Sequence, residues 1–314
     1  MPFLTLEGTK GAKPIAVVKG GEYDGEVLYV SEEEKKKSYH NQISANDYST
    51  ELRGLKPQER TKLISRLEEA REKGLEPDQL VGENAFARQL YERILSDDTK
   101  SKEISLSNGS FELILPPDPL TRTVWYIAGA SGSGKSYIAK GLGEMYQKLF
   151  PNRSVYLISK LTEDKGTLDK MKPPAKRIKI DSLINDYPNL EEFKNCMVIF
   201  DDYDTFTGKE EKIVQKLIDD LATMGRHTNT TMLCLSHYLT NYKKTRLLLN
   251  EATHLVVYPM ATSAHALGYL LKTYVGMGKE DLHELKRMGR WVCIYKNYPQ
   301  YIISAQNARM LIRD

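Results

Sequence analysis

The apolar positions of this chain change period near residue 122, and the change divides it. In residues 14–30 two apolar runs flank the turn Gly20-Gly21-Glu22-Tyr23-Asp24-Gly25, which predicts a β-hairpin. The charge run from Ser31 to Lys37 follows and reads as a solvated linker. Pro57 then opens a stretch in which Leu63, Ile64, Leu67 and Ala70 recur at helical spacing, with Gly74 as its stop. A second helix is expected over about 78–95, with Phe86, Leu90, Tyr91 and Ile94 on one face. Residues 111–115 read as a strand closed by Pro116 and Pro117.

From Arg122 onward, short continuous apolar runs alternate with amphipathic stretches. Strands are expected at 123–128, 155–159, 177–180, 197–200, 232–235 and 255–258. Helices are expected at 136–150, turning Ile138, Leu142, Tyr146 and Leu149 inward, and at 212–224, turning Ile213, Leu217, Leu221 and Met224 inward. A late hairpin pairs 291–295 with 301–303 around Asn297-Tyr298-Pro299. The alternation predicts an α/β domain with a mostly parallel sheet flanked by helices over 119–314. Residues 1–118 form a smaller N-terminal region of hairpin and helices. No internal repeat or low-complexity tract interrupts either part.

Between the strand at 123–128 and the helix at 136–150 stands Gly129-Ala130-Ser131-Gly132-Ser133-Gly134-Lys135-Ser136. It matches the P-loop pattern G-x-x-x-x-G-K-S/T in its required strand–helix context. Glycines let backbone N–H groups turn inward around phosphates, and the helix adds its positive N-terminal end. Lys135 is expected to reach the β- and γ-phosphates of ATP, and Ser136 to place its hydroxyl on Mg2+. Asp201 and Asp202 end the apolar strand at 197–200. An acid at the end of a buried strand beside a phosphate loop suits Mg2+, so Asp201 is the expected metal residue. Asp202 would orient or deprotonate the attacking water, a place more often filled by Glu in motor ATPases. The strand at 155–159 falls between loop and acid in the sequence, and such an insertion accompanies hydrolysis. No Asn-Lys-x-Asp motif for guanine is present. The loop by itself names no reaction, because nucleotide kinases share it; a kinase and a non-enzymatic ATP switch both stay open.

The whole-chain numbers narrow this little. The chain has 314 residues, 40% hydrophobic and 28% charged, with a net charge of +3 from 45 basic and 42 acidic side chains. Any basic surface is therefore local. Cys196, Cys234 and Cys293 each lie in or beside an apolar run, as reduced core thiols in an intracellular protein would. No run approaches the roughly 18 apolar residues of a membrane span, and the N-terminus lacks a secretory pattern.

After the acidic strand the helix at 212–224 closes on Gly225-Arg226-His227. The apolar strand at 232–235 then ends in Ser236-His237, and Lys243, Lys244 and Arg246 precede the last parallel strand. This order of motifs resembles the FtsK/HerA superfamily of DNA-translocating ATPases. It is most similar to the poxvirus-type genome-packaging ATPases of large DNA viruses, on Gly225-Arg226-His227 above all and on the late hairpin with Arg290-Trp291. The resemblance covers roughly 122–303. It implies ATP hydrolysis with Mg2+ and a homo-oligomeric ring, a pentamer or hexamer, on double-stranded DNA. It also implies a sensor of the γ-phosphate at Ser236 or His237, where the family usually has Gln. An arginine acting on the neighbouring subunit's nucleotide is expected at Arg226 or else at Arg246. Capsid or membrane proteins of a virion are the further partners, in the host cytoplasm, at an assembly site or in the virion. A conjugation or chromosome-segregation motor is the alternative within the superfamily. Two basic clusters, Lys165–Lys179 and Lys243–Arg246, are candidates for tracking DNA phosphates. The hairpin at 17–30 reads as a nucleic-acid-binding barrel fragment, a structural cap or a capsid-docking element.

Overall fold

A computed structural model of the chain describes every residue except 1, 7, 9, 32–42, 44–47, 74, 81, 83, 101–102, 164–165 and 312–314. Most of the charge run, the helix stop at Gly74 and the cluster residue Lys165 lie outside the described residues. In chain order the strands are β1 (Phe3–Thr5), β2 (Lys13–Lys19), β3 (Val27–Ser31), β4 (Glu103–Ser105), β5 (Ser110–Leu113), β6 (Val124–Ala128) and β7 (Val155–Ser159). They continue with β8 (Lys176–Arg177), β9 (Met197–Asp201), β10 (Thr231–Ser236), β11 (His254–Val257), β12 (Val292–Tyr295), β13 (Tyr301–Ser304) and β14 (Asn307–Met310). The α-helices are α1 (Pro57–Glu72), α2 (Ala85–Lys100), α3 (Lys135–Leu149), α4 (Ile180–Asn185), α5 (Gly208–Met224), α6 (Tyr242–Glu251), α7 (Ala264–Leu270) and α8 (Lys279–Arg287).

Ten strands form one sheet in the order β4-β14-β13-β12-β11-β6-β10-β9-β7-β8. From β11 to β8 every pairing is parallel, and from β11 to β4 every pairing is antiparallel. The central strands β6, β9 and β10 are buried along their whole length, because helices or a second sheet cover both faces. Val124, Tyr126, Val198, Phe200 and Cys234 point to one core, which α5, α6 and α7 close. Trp125, Ile127, Ile199 and Leu233 point to the other, closed by α3 and by a four-stranded antiparallel sheet in the order β1-β3-β2-β5. The expected hairpin is β2–β3, and β5 is the expected strand after the second helix. Helices α1 and α2 pack on each other in a third cluster with Leu52 and Tyr48.

Space reorders the strands. The strand at 155–159 precedes the acidic strand in the chain, yet β7 lies outside β9 in the sheet. The strand inserted between the phosphate-loop strand and the acidic strand is β10, whose register runs Ser236 against Ala128 and Cys234 against Phe200. The polar end of β10 is thereby set between loop and acid.

Several inward faces differ from expectation. In α3 the buried positions are Lys135, Ala139, Leu142, Gly143 and Tyr146, while Leu149 is exposed. A Cβ at Gly143 would lie 2.4 Å from Met171 Cε, so the face is centred on a residue that hydrophobic periodicity does not register. In α5 the fuller stripe Val214, Leu217, Ile218, Leu221 and Ala222 is buried, and Met224 is exposed. Helix α2 begins at Ala85 because Asn84 Oδ1 accepts the Ala87 N–H at 2.8 Å. Phe86 therefore falls in an exposed first turn, and Ala87 takes its inward place. The short strand β8 stops at Arg177, and the chain turns into α4. All three cysteines are free and buried, and burial pushes the Cys196 thiol up to about 12. No helix among the described residues is long and apolar enough to cross a membrane.

His254 opens β11 stacked on Trp125, ring centroids 3.8 Å apart, with Tyr295 at 4.9 Å. Burial pushes its pKa down to about 3. The unfolded chain therefore takes up a proton near pH 6.5 that the native state refuses. Stability contributed by the neutral ring is full above pH 6.5 and is lost as pH falls toward 3. We expect a loss of about 2 kcal/mol between pH 7.5 and 5 from this residue. Urea unfolding of wild type and His254→Gln at both pH values checks it: the variant should lose that increment of acid sensitivity, and equal slopes would refute it.

Candidate functional site

The phosphate loop leaves the C-terminal end of β6 and enters α3. Gly132 and Gly134 have φ of 74° and 115°, the left-handed region that favours glycine. At Gly129 a Cβ would stand 2.5 Å from the Tyr258 ring, so the loop lies flush on the end of β11. The first turn of α3 has no side-chain cap, leaving its N–H groups for a ligand. Lys135 is buried at 5% exposure; its Nζ donates to the carbonyls of Gly129 (2.8 Å) and Ala130 (3.4 Å). The same Nζ is 3.7 Å from Asp202 Oδ1.

The two acids behave differently. Asp201 finishes β9, is buried, and accepts a hydrogen bond from Ser159 Oγ at 3.0 Å. Asp202 leaves the strand with φ 42° and ψ 45°, a left-handed conformation Asp tolerates better than most side chains. That turn aims its carboxylate back at the loop. Its Oδ1 is buried without a hydrogen bond, between Lys135 Nζ and His237 Nε2, each at 3.7 Å. The donor set for a cation is all oxygen, the Ser136 hydroxyl and the Asp201 carboxylate, which suits Mg2+. The left-handed glycines, the uncapped helix end and the buried cation suit a polyphosphate.

Of the two candidate sensors, only His237 brings its side chain to the loop. Ser236 is fully buried, and its Oγ exchanges hydrogen bonds with the backbone of Tyr238, both 3.1 Å. Its carbonyl accepts the Gly129 N–H at 3.0 Å, tying β10 to the loop. His237 Nε2 stands 3.3 Å from Ser131 Oγ at the loop tip. Its backbone N–H donates to Asp204 Oδ2 at 3.0 Å, and its Nδ1 lies 3.3 Å from Asp204 Oδ1.

No hydrogen bond or ion pair joins either arginine to this cluster among the described residues. Arg226 is exposed on the turn before β10, at the opposite end of the six-residue strand from His237. Six residues of strand span roughly 20 Å. Arg246 is exposed on α6, its guanidinium 5.3 Å from the Tyr242 ring centroid and hydrogen-bonded to the Tyr242 hydroxyl. In the basic clusters, Arg177 pairs with Asp169 and Lys244 with Glu211, while Lys170, Lys172, Lys176, Lys179 and Lys243 are exposed.

Two residues are not legible as site residues in the sequence, although the resemblance includes Arg290 beside Trp291 in the late hairpin. Asp204 had a faint signal, the third acid of Asp201-Asp202-Tyr203-Asp204. Arg290 donates from Nη2 to the Gly132 carbonyl at 3.0 Å across 158 residues, which no local pattern announces.

No family model matches the chain. The uncharacterized protein V3 of Sputnik virophage is 34% identical over 216 residues, 65% of this chain and 86% of V3. Among solved structures, the genome packaging NTPase B204 of Sulfolobus turreted icosahedral virus 2 with ATP-gammaS is 13% identical at TM-score 0.41, covering 60% of this chain and 99% of B204. The pCW3 conjugation coupling protein TcpA is 17% identical at TM-score 0.42, covering 65% of each chain. The cytoplasmic domain of the Thermomonospora curvata type VII secretion ATPase EccC is 14% identical at TM-score 0.43, covering 65% of this chain and 28% of that one.

Proposed function

The chain belongs to the same family as protein V3 of Sputnik virophage, and from that premise we propose that it hydrolyses ATP to drive DNA, a viral genome, into a capsid. One observation carries the hydrolytic part. A hydrogen-bonding ring, His237, sits at the end of the inserted strand, 3.3 Å from the loop tip and 3.7 Å from the second acid. That is where the γ-phosphate and an attacking water would lie when the loop holds the β-phosphate. Lys135 neutralises the phosphate oxygens, Asp202 orients the water and takes its proton, and His237 accepts a hydrogen bond from that water, so its ring senses the nucleotide state through the water in line with the γ-phosphate. Ser136 and Asp201 would hold Mg2+, which supplies charge neutralisation between the β- and γ-phosphates.

The DNA-driving part rests on the order of motifs and on where the cations stand. Arg226 lies a strand's length from its own loop, which supports a role toward a neighbouring subunit of a ring over one at its own nucleotide. Lys170, Lys172, Lys176 and Lys179 beside β8, and Lys243 with Arg246 on α6, offer exposed charge for sequence-independent phosphate contacts. The virophage relative supports the viral setting.

Steady-state phosphate release with and without long duplex and single-stranded DNA tests the reading. We expect several-fold stimulation by duplex DNA that weakens as salt rises. Hydrolysis indifferent to either DNA would end the translocase proposal and leave a plain ATPase. Transfer of phosphate to a nucleoside monophosphate, without phosphate release, would replace both with a kinase.

A further inference from the structure

We propose that Asp204 is a positioning residue that sets the tautomer and aim of His237, so that the ring presents Nε2 to the loop tip. Its kinetic consequence rests on the ATPase reading above; its geometry does not.

The need for such a residue follows from the ring. A carboxamide at the sensor position carries a donor and an acceptor on one end, and either can meet a phosphate or water after rotation. An imidazole carries two nitrogens with different neighbours. In the wrong ring orientation a C–H faces the site, and in the wrong tautomer a donor stands where an acceptor is needed. Something must hold both choices. The 3-10 turn Tyr203–Thr205, which follows Asp202 directly, does this with Asp204.

The Asp204 side chain is 3% exposed. A carboxylate this buried is costly unless its oxygens are occupied, and it can only accept. Oδ2 takes the His237 backbone N–H at 3.0 Å, which fixes the end of β10. Oδ1 faces Nδ1 at 3.3 Å, so Nδ1 is the nitrogen that carries the proton. With the one proton of the ring on Nδ1, Nε2 is an acceptor, 3.3 Å from Ser131 Oγ, which donates to it, while Asp202 Oδ1 at 3.7 Å from Nε2 is equally close to Lys135 Nζ. The two carboxylate oxygens thus clamp backbone and ring together. An asparagine could still cap the backbone N–H with its one oxygen. It would then turn its NH2 to Nδ1 and force the proton onto Nε2. The acid, rather than any polar residue, is therefore what the arrangement calls for. Burial holds the Tyr126 and Tyr203 phenols protonated, and the Asp204 carboxylate adds to that.

The test uses the full chain labelled with 15N-histidine, followed in alkaline buffer. Two-bond 1H–15N correlations should show His237 as the Nδ1–H tautomer, moving to Nε2–H in Asp204→Asn. His237→Gln identifies the signal. In steady-state kinetics Asp204→Asn should lower kcat for ATP roughly 10- to 100-fold, the scale of a misplaced proton-handling group. KM should stay within about three-fold, since the phosphate grip is untouched. In the His237→Gln background the same substitution should change kcat by less than about two-fold, because residues acting through one another are non-additive. A wild-type ring protonated at Nε2 overturns the proposal. So does an equal loss of kcat in both backgrounds accompanied by an equal drop in Tm, which is the mark of a merely structural acid. If the wild type releases no phosphate from ATP, the ATPase reading falls, and the tautomer measurement still decides the role of Asp204.

Discussion

Lys135→Ala is expected to lower ATP turnover roughly 1,000-fold while leaving the fold in place. The ammonium is the only cation described within the loop, and it is surrounded by oxygen: the carbonyls of Gly129 and Ala130 and, at 3.7 Å, Asp202 Oδ1. Without it a polyphosphate entering the cradle meets those oxygens, and the positive charge left is the helix end and the Arg290 guanidinium on the Gly132 carbonyl. The charge that grows on the transferring phosphoryl group is then uncompensated where low exposure makes electrostatics strongest. The folding cost should be small. The Asp202 side chain is 39% exposed, so water can take over part of its solvation. Phosphate release measured beside a thermal melt checks both statements. Turnover within ten-fold of wild type, with an unchanged melt, would mean that ATP is not split at this loop.

What could be read from the sequence was what local chemistry determines. Gly129 to Ser136 needed only its own glycines, Lys135 and Ser136, and the flanking strand and helix announced themselves by continuous and 3.6-residue apolar patterns. The hairpin β2–β3 was legible for the same reason, because a tight turn joins its strands. Partnerships between distant segments were not. Strand β1 on the edge of that hairpin, and β4 paired with β14, join residues far apart in the chain, and neither short run has a pattern of its own. Chain order put the strand at 155–159 between loop and acid, but the crossovers place β10 there instead. That one exchange sets the surroundings of Ser236 and His237, because the last β10 residue turns into the sheet and the next turns onto the loop. Asp204 and Arg290 matter only through partners 33 and 158 residues away. Gly143 centres a buried face with no side chain at all.

Arg226→Ala should cost roughly 1,000- to 100,000-fold in turnover if its guanidinium completes the neighbouring subunit's site, the range a trans arginine supplies in other P-loop enzymes. The turn that carries it is built to hold still. Arg122 Nε donates to the Thr230 carbonyl at 2.7 Å, and its Nη2 donates to the Leu221 and Ala222 carbonyls. Thr230 N–H closes on Gly225 O at 2.9 Å, and Asn229 Nδ2 bonds Pro119 O and Asn195 Oδ1, both at 2.8 Å. A Cβ at Gly225 would lie 2.3 Å from the Leu221 carbonyl, so even that position is closely filled. None of these bonds uses the Arg226 side chain, so its removal leaves the platform intact and Tm should barely move. Loss of activity alone would not separate a cis from a trans role; mixing does. In a ring assembled from equal parts Lys135→Ala and Arg226→Ala subunits, an interface is complete where an intact Lys135 meets a neighbour's intact Arg226. Random assortment makes that about a quarter of the interfaces. Two inactive proteins should therefore regain phosphate release on mixing, whereas an arginine acting on its own subunit's nucleotide restores none. Recovery with Arg226→Ala and its absence with Arg246→Ala would assign the trans role to the turn before β10; the reverse would move it to α6, where the guanidinium must first leave Tyr242.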